Sequence, residues 1–163
     1  MTDGKRIEIE RKFLVSGDGW RAAADAGRPI VQGYLCGGDR GAVRVRIDGE
    51  KAFLTVKAVE GGDLRVRREY EYPIPMADAR ELLRLCAPRL VEKRRYRVDW
   101  DGRTWEVDCF EGANAGLVLA EIELDDPAEP LTLPPWVGKE VSDDPRFLNV
   151  RLAEHPLPGG ERT

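Results

Sequence analysis

Histidine is almost missing from this sequence: a single one, His155, stands near the C-terminal end. A histidine triad or histidine metal cage therefore has no material, and His155 reads as a surface or docking residue. Cysteine is scarce too. There are three, Cys36, Cys86 and Cys109, with no CxxC pair and no zinc spacing. An odd number of scattered thiols suits a reducing compartment, so a cytoplasmic protein is expected. No apolar run approaches the roughly 20 residues of a membrane span, and the first residues are polar rather than signal-like. A positive excess is also lacking, since the net charge is -4. That argues against a duplex-binding protein. The 26 lysines and arginines still leave room for a local basic site. Neither nucleic acid nor a membrane is expected as a partner, and the chain is expected to be a monomer or a homodimer.

What is present is a chain of one-domain size, 163 residues, with charged side chains at 34% and regularly spaced aliphatic positions. A core of useful size can be buried at this length. No repeat or linker divides the chain, so residues 1–163 are expected to form a single domain. Any chemistry must come from carboxylates, lysine and arginine.

Short strands alternating in hydropathy run through most of the sequence. They are expected at 7–15, 30–35, 42–47, 52–59, 64–74, 90–100, 103–110 and 117–124. Turn pairs Asp48-Gly49 and Asp101-Gly102 mark hairpins. A short helix is expected after Asp18, ending at Gly27. The one long amphipathic helix is expected at 76–86, where Met76, Ala79, Leu82, Leu83 and Cys86 recur at helical spacing between Pro75 and Pro88. Residues 125–136 are proline-rich and read as an irregular crossing. Asp144 and Pro145 open a last helix, and the tail PLPGGERT is expected to fray. About eight strands joined by short turns can close into an antiparallel barrel with no free edges.

The stretch IEIERKFLV opens this pattern. A strand sends alternate side chains to opposite faces. Ile7, Ile9 and Phe13 fall on one face, with Arg11 the exception, and Glu8, Glu10 and Lys12 on the other. Later strands repeat it. Arg44 and Arg46 share a face, as do Thr55 and Lys57, and Arg65, Arg67, Glu69 and Glu71. Lys93, Arg95 and Arg97 align, as do Glu106 and Asp108, and Glu121 and Glu123. For one strand a wet sheet face explains such alternation. The joint pattern asks for more. Serine and threonine, the usual company of charge on a wet face, are scarce here, and acids and bases sort by strand. If these faces point into a barrel of about eight strands, the lumen is wide enough for side chains or one small ligand. Crowded carboxylates there call for a hard cation, Mg²⁺ or Mn²⁺. The guanidinium forks call for phosphate oxygens. A short polyphosphate carrying a divalent metal meets both demands.

Glu8-Ile9-Glu10-Arg11-Lys12 resembles the ExExK signature of the CYTH, or triphosphate tunnel metalloenzyme, superfamily. QGYL, VRVRI, LTVK, EYEYPIPMADA, EKRRYRV, WEVDCFEGANAGLVLAEIEL and DPRFLN resemble segments of bacterial members in the same order. The resemblance implies an α+β, mainly β, fold: an eight-stranded antiparallel closed barrel with a charged lumen and a few flanking helices. It implies a metal-dependent triphosphatase, with inorganic triphosphate the favoured substrate and Mg²⁺ or Mn²⁺ as cofactor. Glu8, Glu10, Glu121 and Glu123 are then the implied metal ligands. Lys12, Arg44, Arg46, Lys57, Lys93 and Arg95 are the implied phosphate contacts, with Arg67 on the same face. Glu69, Glu71 and Asp108 would orient the lumen, completing a catalytic set with Glu8, Glu10, Lys12, Lys57, Glu121 and Glu123. Two positions depart from the family pattern. Pro73 follows EYEY, and Cys109, with the outward parity of Trp105, follows WEVD. Alternatives within the family are a class IV-type adenylate cyclase or a nucleoside or thiamine triphosphatase, for which Tyr34, Trp20, Trp100 or Trp136 could supply a seat for an organic group; Trp100, with the outward parity of Tyr96 and Val98, reads as core or coat, and no aromatic cluster is committed to a base. Outside catalysis stand a polyphosphate-binding barrel and a protein-interaction sheet. The paired acids at Glu8/Glu10 and Glu121/Glu123 favour the enzyme.

Overall fold

The computed structural model describes residues 6–38 and 40–160. Its strands are β1 (Ile7–Val15), β2 (Arg28–Gly37), β3 (Gly41–Asp48), β4 (Lys51–Glu60), β5 (Asp63–Pro73), β6 (Leu90–Trp100), β7 (Arg103–Glu111), β8 (Val118–Leu124) and β9 (Val137–Glu140). Helix α1 (Met76–Cys86) lies between β5 and β6, and α2 (Asn149–Glu154) follows β9. The sheet runs β5-β4-β3-β2-β6-β7-β8-β1, and a β1–β5 pairing closes it into an eight-stranded antiparallel barrel. Closure depends on β1 changing partners. Ile7 to Ile9 pair with β5. Farther along, Phe13 and Val15 pair with β9 instead. In between, the Lys12 amide donates to the Ser142 hydroxyl.

Turn chemistry sets the register. Asp101 and Gly102 both have positive φ, the conformation that a two-residue type I′ hairpin requires. The β3–β4 hairpin lies one residue beyond the expected turn. Asp48 pairs with Lys51, so Gly49 and Glu50 form the loop, with positive φ at Gly49. Gly33 serves packing rather than turning. A Cβ there would lie 2.6 Å from Cys86 Cβ, so only glycine lets α1 settle against β2.

Three apolar clusters hold the barrel. Two lie outside its wall. Trp105, Val107, Val98 and Ile122 face outward under Trp20 and Trp136. Val45 and Ala52 pack beneath Ala79 and Leu83 of α1. The third fills one end of the lumen. Val91, Phe110 and Leu119 share inward parity with Lys93, Asp108 and Glu121, and they pack on Phe147, Leu148, Val150 and Leu152. The C-terminal segment thus plugs that end.

The expected short helix after Asp18 is only a 3₁₀ turn, Gly19–Ala23. The Asp18 side chain pairs with Arg21 rather than capping a backbone amide, which leaves a helix there without its start signal. β9 was not expected. Asp144 does accept the Arg146 amide, but it opens a 3₁₀ turn, Pro145–Phe147, before α2. The tail is held as far as residue 160, since Leu157 N–H donates to Asn114 and Gly159 N–H to Ala115. The last three residues of PLPGGERT lie outside the described residues.

Candidate active site

The alternating charges converge inside the barrel. One cavity of about 160 Å³ is lined by Glu8, Glu10, Arg44, Arg46, Lys57, Arg67, Glu69, Arg95, Glu121 and Glu123, among others. A wider one of about 710 Å³ forms the open mouth and shares Glu10, Arg46, Glu121 and Glu123 with the first. Glu71 lines the mouth. Neighbouring strands bring the acids side by side: Glu10 is in register with Glu123, and Glu121 with Glu106.

Three expected site residues sit differently from the rest. Lys12 Nζ turns toward the plug, donating to the Phe147 carbonyl at 3.0 Å, with Glu121 at 3.5 Å. The Lys93 and Asp108 side chains are fully enclosed. They meet each other at 2.8 Å, and Lys93 Nζ also donates to Asn149 of α2. Arg95 joins Asp108 at 2.7 Å and reaches Glu121 at 3.3 Å. It also contacts Glu106, which lines both cavities. Glu106 had the right parity to be noticed. Asn149 and the Phe147 carbonyl had no such signal, because their roles come from a segment folded back from far along the chain.

On the other side of the lumen, Lys57 bridges Glu8 at 3.1 Å and Glu69 at 3.5 Å. Arg44 approaches Glu71 at 3.6 Å. Its Nε is buried without a hydrogen-bond partner, which is a costly condition unless a ligand supplies an acceptor. Arg46 and Arg67 form no ion pair among the described residues; each donates to a neutral oxygen, of Gln32 and Leu64 respectively.

Burial raises Glu10 to about 8, with repulsion from Glu121 and then Glu8 adding to it. Burial likewise raises Glu69, to about 7, beside Glu8. Burial is the largest influence on Glu8 and opposes its charge, but Lys57, Arg67 and hydrogen bonds with Glu69 and Glu10 together outweigh it and hold Glu8 well below the usual carboxylate range. Glu121 is buried as well, yet Lys12 and Arg95 bring it down to about 2. Burial draws Lys93 down to about 8 despite Asp108. The strongest crowding of negative charge is therefore at Glu10. Among the described residues no three His, Cys, Asp or Glu side chains already form a ready ligand cage. The donor set at Glu8, Glu10 and Glu123 is nevertheless all hard oxygen, and an added divalent cation would relieve the repulsion at Glu10.

Of the aromatic residues considered as seats for an organic group, Trp20, Trp100 and Trp136 pack outside the barrel. Tyr34 lies within it, next to the plug. Phe53, not anticipated, lines the mouth. Pro73 ends β5 opposite Phe53, and Cys109 packs on the outer cluster; neither displaces a cavity acid.

A closed antiparallel barrel lined inside by carboxylates, lysines and arginines defines a tunnel suited to a polyanion and its counter-cation. A CYTH domain model matches residues 6–150, and the chain belongs to that family. It is 47% identical over 150 residues to the inorganic triphosphatase of Acetivibrio thermocellus, covering 91% of this chain and 94% of that protein. It is 40% identical over 152 residues to the inorganic triphosphatase of Nitrosomonas europaea, covering 90% and 96%. The crystal structure of the inorganic triphosphatase NE1496 superposes with a TM-score of 0.66 at 36% identity, covering 93% of this chain and 97% of that one.

Proposed function

We propose that this protein is a metal-dependent triphosphatase that hydrolyses inorganic triphosphate to pyrophosphate and orthophosphate. The carrying observation is one cavity that holds the acids Glu8, Glu10, Glu121 and Glu123 against Arg44, Arg46, Lys57 and Arg67. Relatives named inorganic triphosphatase at 47% and 40% identity support the substrate. Residues 1–163 are read as one such domain, in a cytoplasmic monomer or homodimer that needs no nucleic acid. No helix among the described residues is long and apolar enough to cross a membrane.

Glu8 and Glu10, with Glu123 and Glu121, would hold Mg²⁺ or Mn²⁺. Such an ion supplies charge neutralisation at phosphate oxygens and a more acidic water. Arg44, Arg46, Lys57 and Arg67 grip the phosphate chain, and Arg95 reaches the same cavity. Lys93 and Asp108, inside the barrel on the plug side of the cavity, orient Arg95, while Lys12 bridges Glu121 and the plug. Glu69 and Glu71 keep Lys57 and Arg44 in place. A water oxygen bonds to the terminal phosphorus, the bridging P–O bond breaks, and its electron pair stays on pyrophosphate. The water's proton is released to solvent. Rate enhancement here comes from positioning and electrostatics. No covalent intermediate is needed, and among the described residues no cysteine or histidine lines either cavity.

Phe53 at the mouth supports a second reading, in which an organic triphosphate lies with its planar group at that end. The deciding experiment measures phosphate release from inorganic triphosphate, ATP, GTP, thiamine triphosphate and pyrophosphate, with Mg²⁺, Mn²⁺ or chelator. Triphosphate is expected first, pyrophosphate poor, and no turnover with chelator. Cyclic AMP as the main product from ATP would establish the cyclase instead. No phosphate release from any of them would leave a binding barrel.

A further inference from the structure

Gln32 is fully buried on the inward face of β2 and belongs to no expected set of site residues. Its Oε1 accepts from Arg46 Nε at 3.0 Å, and its Nε2 donates to the Tyr34 hydroxyl at 3.0 Å. Arginine can only donate, so the amide has one permissible orientation. The Tyr34 oxygen must then accept, which leaves its O–H hydrogen free to point elsewhere. Both Tyr34 and Arg46 line the inner cavity.

The choice of an amide matters. Lys12, Arg44, Lys57, Lys93 and Arg95 all meet carboxylates. Their positive charge is partly spent inside the protein. Arg46 is steered by a neutral acceptor at Nε and forms no ion pair among the described residues. Register places it between Gln32 on β2 and Phe53 on β4, where no acid can approach from the flanking strands. Burial and the nearby Arg44 and Arg95 weaken its hold on the proton, to about 10, more than the smaller opposing pull of Tyr34 and Asp108 restores it.

We infer that Gln32 is a positioning residue that aims the Arg46 guanidinium into the cavity without tying it into an ion pair, so that Arg46, like Arg67, keeps its charge available for a phosphoryl group. The inference rests on reading the cavity as a polyphosphate site. An amide fixes direction without neutralising, and a carboxylate in its place would fix direction and neutralise.

That difference gives the test. Calorimetric binding of inorganic triphosphate, pyrophosphate and sulfate is measured for the full chain without added metal, and triphosphate hydrolysis is measured with Mg²⁺. The proteins are wild type, Gln32→Glu, Gln32→Met, Arg46→Ala and the double variant Gln32→Glu/Arg46→Ala. Gln32→Glu is expected to raise Kd and KM for triphosphate by about tenfold or more with a smaller fall in kcat, the signature of lost charge used in ground-state binding. Its melting temperature should hold or rise, because Arg46 gains an ion pair. Gln32→Met should weaken binding less, since the charge remains but loses its direction. In the Arg46→Ala background, Gln32→Glu should change Kd by less than about twofold, as required if the effect runs through Arg46. An equal penalty in both backgrounds, or a Gln32→Glu protein that binds triphosphate like wild type, overturns the inference while leaving the triphosphatase reading intact. A wild-type protein that binds none of the three anions overturns both.

Discussion

Glu10 faces the cavity, whereas Arg11, one residue on, pairs with Glu140 on the outside at 2.7 Å. Glu8→Gln and Glu10→Gln keep size and polarity but remove charge that would hold a cation. Each is expected to lower kcat by on the order of 10²-fold or more. Arg11→Ala loses one half-exposed ion pair, worth at most about 1 kcal/mol, and should leave kcat unchanged. Steady-state kinetics with circular dichroism separates these outcomes, and an Arg11→Ala defect as deep as that of Glu10→Gln would show that the wrong face was placed inside. Acidity gives a second test. Glu10 and Glu69 are raised in the fold, to about 8 and about 7. A group raised by folding stabilises below its unfolded pKa and loses that contribution as pH rises through the folded value. The metal-free protein should therefore lose melting temperature between about pH 5 and pH 8, and Glu10→Gln should flatten that slope. Glu121, lowered to about 2, has the opposite sign, and its contribution is lost only as pH falls from the ordinary carboxylate range toward that value. Alternation grouped most of the charges that line the lumen, although Arg65, of the same parity as Arg67, pairs with Asp63 and is in neither cavity lining. It could not distinguish Arg46, which keeps its charge free, from Arg95, which is enclosed by acids, because that difference depends on what stands on neighbouring strands.

Elements defined by local chemistry were readable from the chain. Helix α1 begins and ends at the expected residues, since Pro75 and Pro88 bracket an unbroken apolar stripe. The strands agree to within a residue or two because hydropathy alternates until a turn residue stops it. β9 and the plug were not readable in the same way. β9 is four residues long and follows prolines, and its reason to exist is the length of β1 that β5 leaves unpaired. The plug turns inward-facing Val91, Phe110 and Leu119 from apparent exceptions into a core. Phe147 has no exposed surface at the centre of that core. Phe147→Ala is expected to cost about 3–5 kcal/mol. Its backbone carbonyl would also lose its fixed place against Lys12, so KM for triphosphate should rise along with the loss of stability. Chemical denaturation and kinetics on the same sample check both, and unaltered stability would mean that the segment does not seal the lumen.

For the whole molecule, closure means that like charges are confined at short range in one small volume. Bound polyanion and cation should relieve this together. A ligand present at about 100 times its dissociation constant adds roughly 2.7 kcal/mol when it binds only the folded state. Triphosphate with Ca²⁺, used as a weakly activating ion, should raise the melting temperature by several degrees, more than either component alone. A scanning fluorimetry titration reads this directly, and no shift with both present would count against a phosphate-lined tunnel.

The partner change along β1 also has a kinetic consequence. Around the barrel, backbone amides are mostly locked by backbone carbonyls on the next strand, but the Lys12 amide is held by the Ser142 hydroxyl. A side-chain acceptor can swing away without any strand separating. The Lys12 amide should therefore exchange with solvent deuterium through a small local opening, faster than the amides of β1 that lie between β5 and β8. Ser142→Ala should speed its exchange further and leave the rest of β1 unchanged. The wall would then open locally beside Lys12, two residues from Glu10, which lines the cavity.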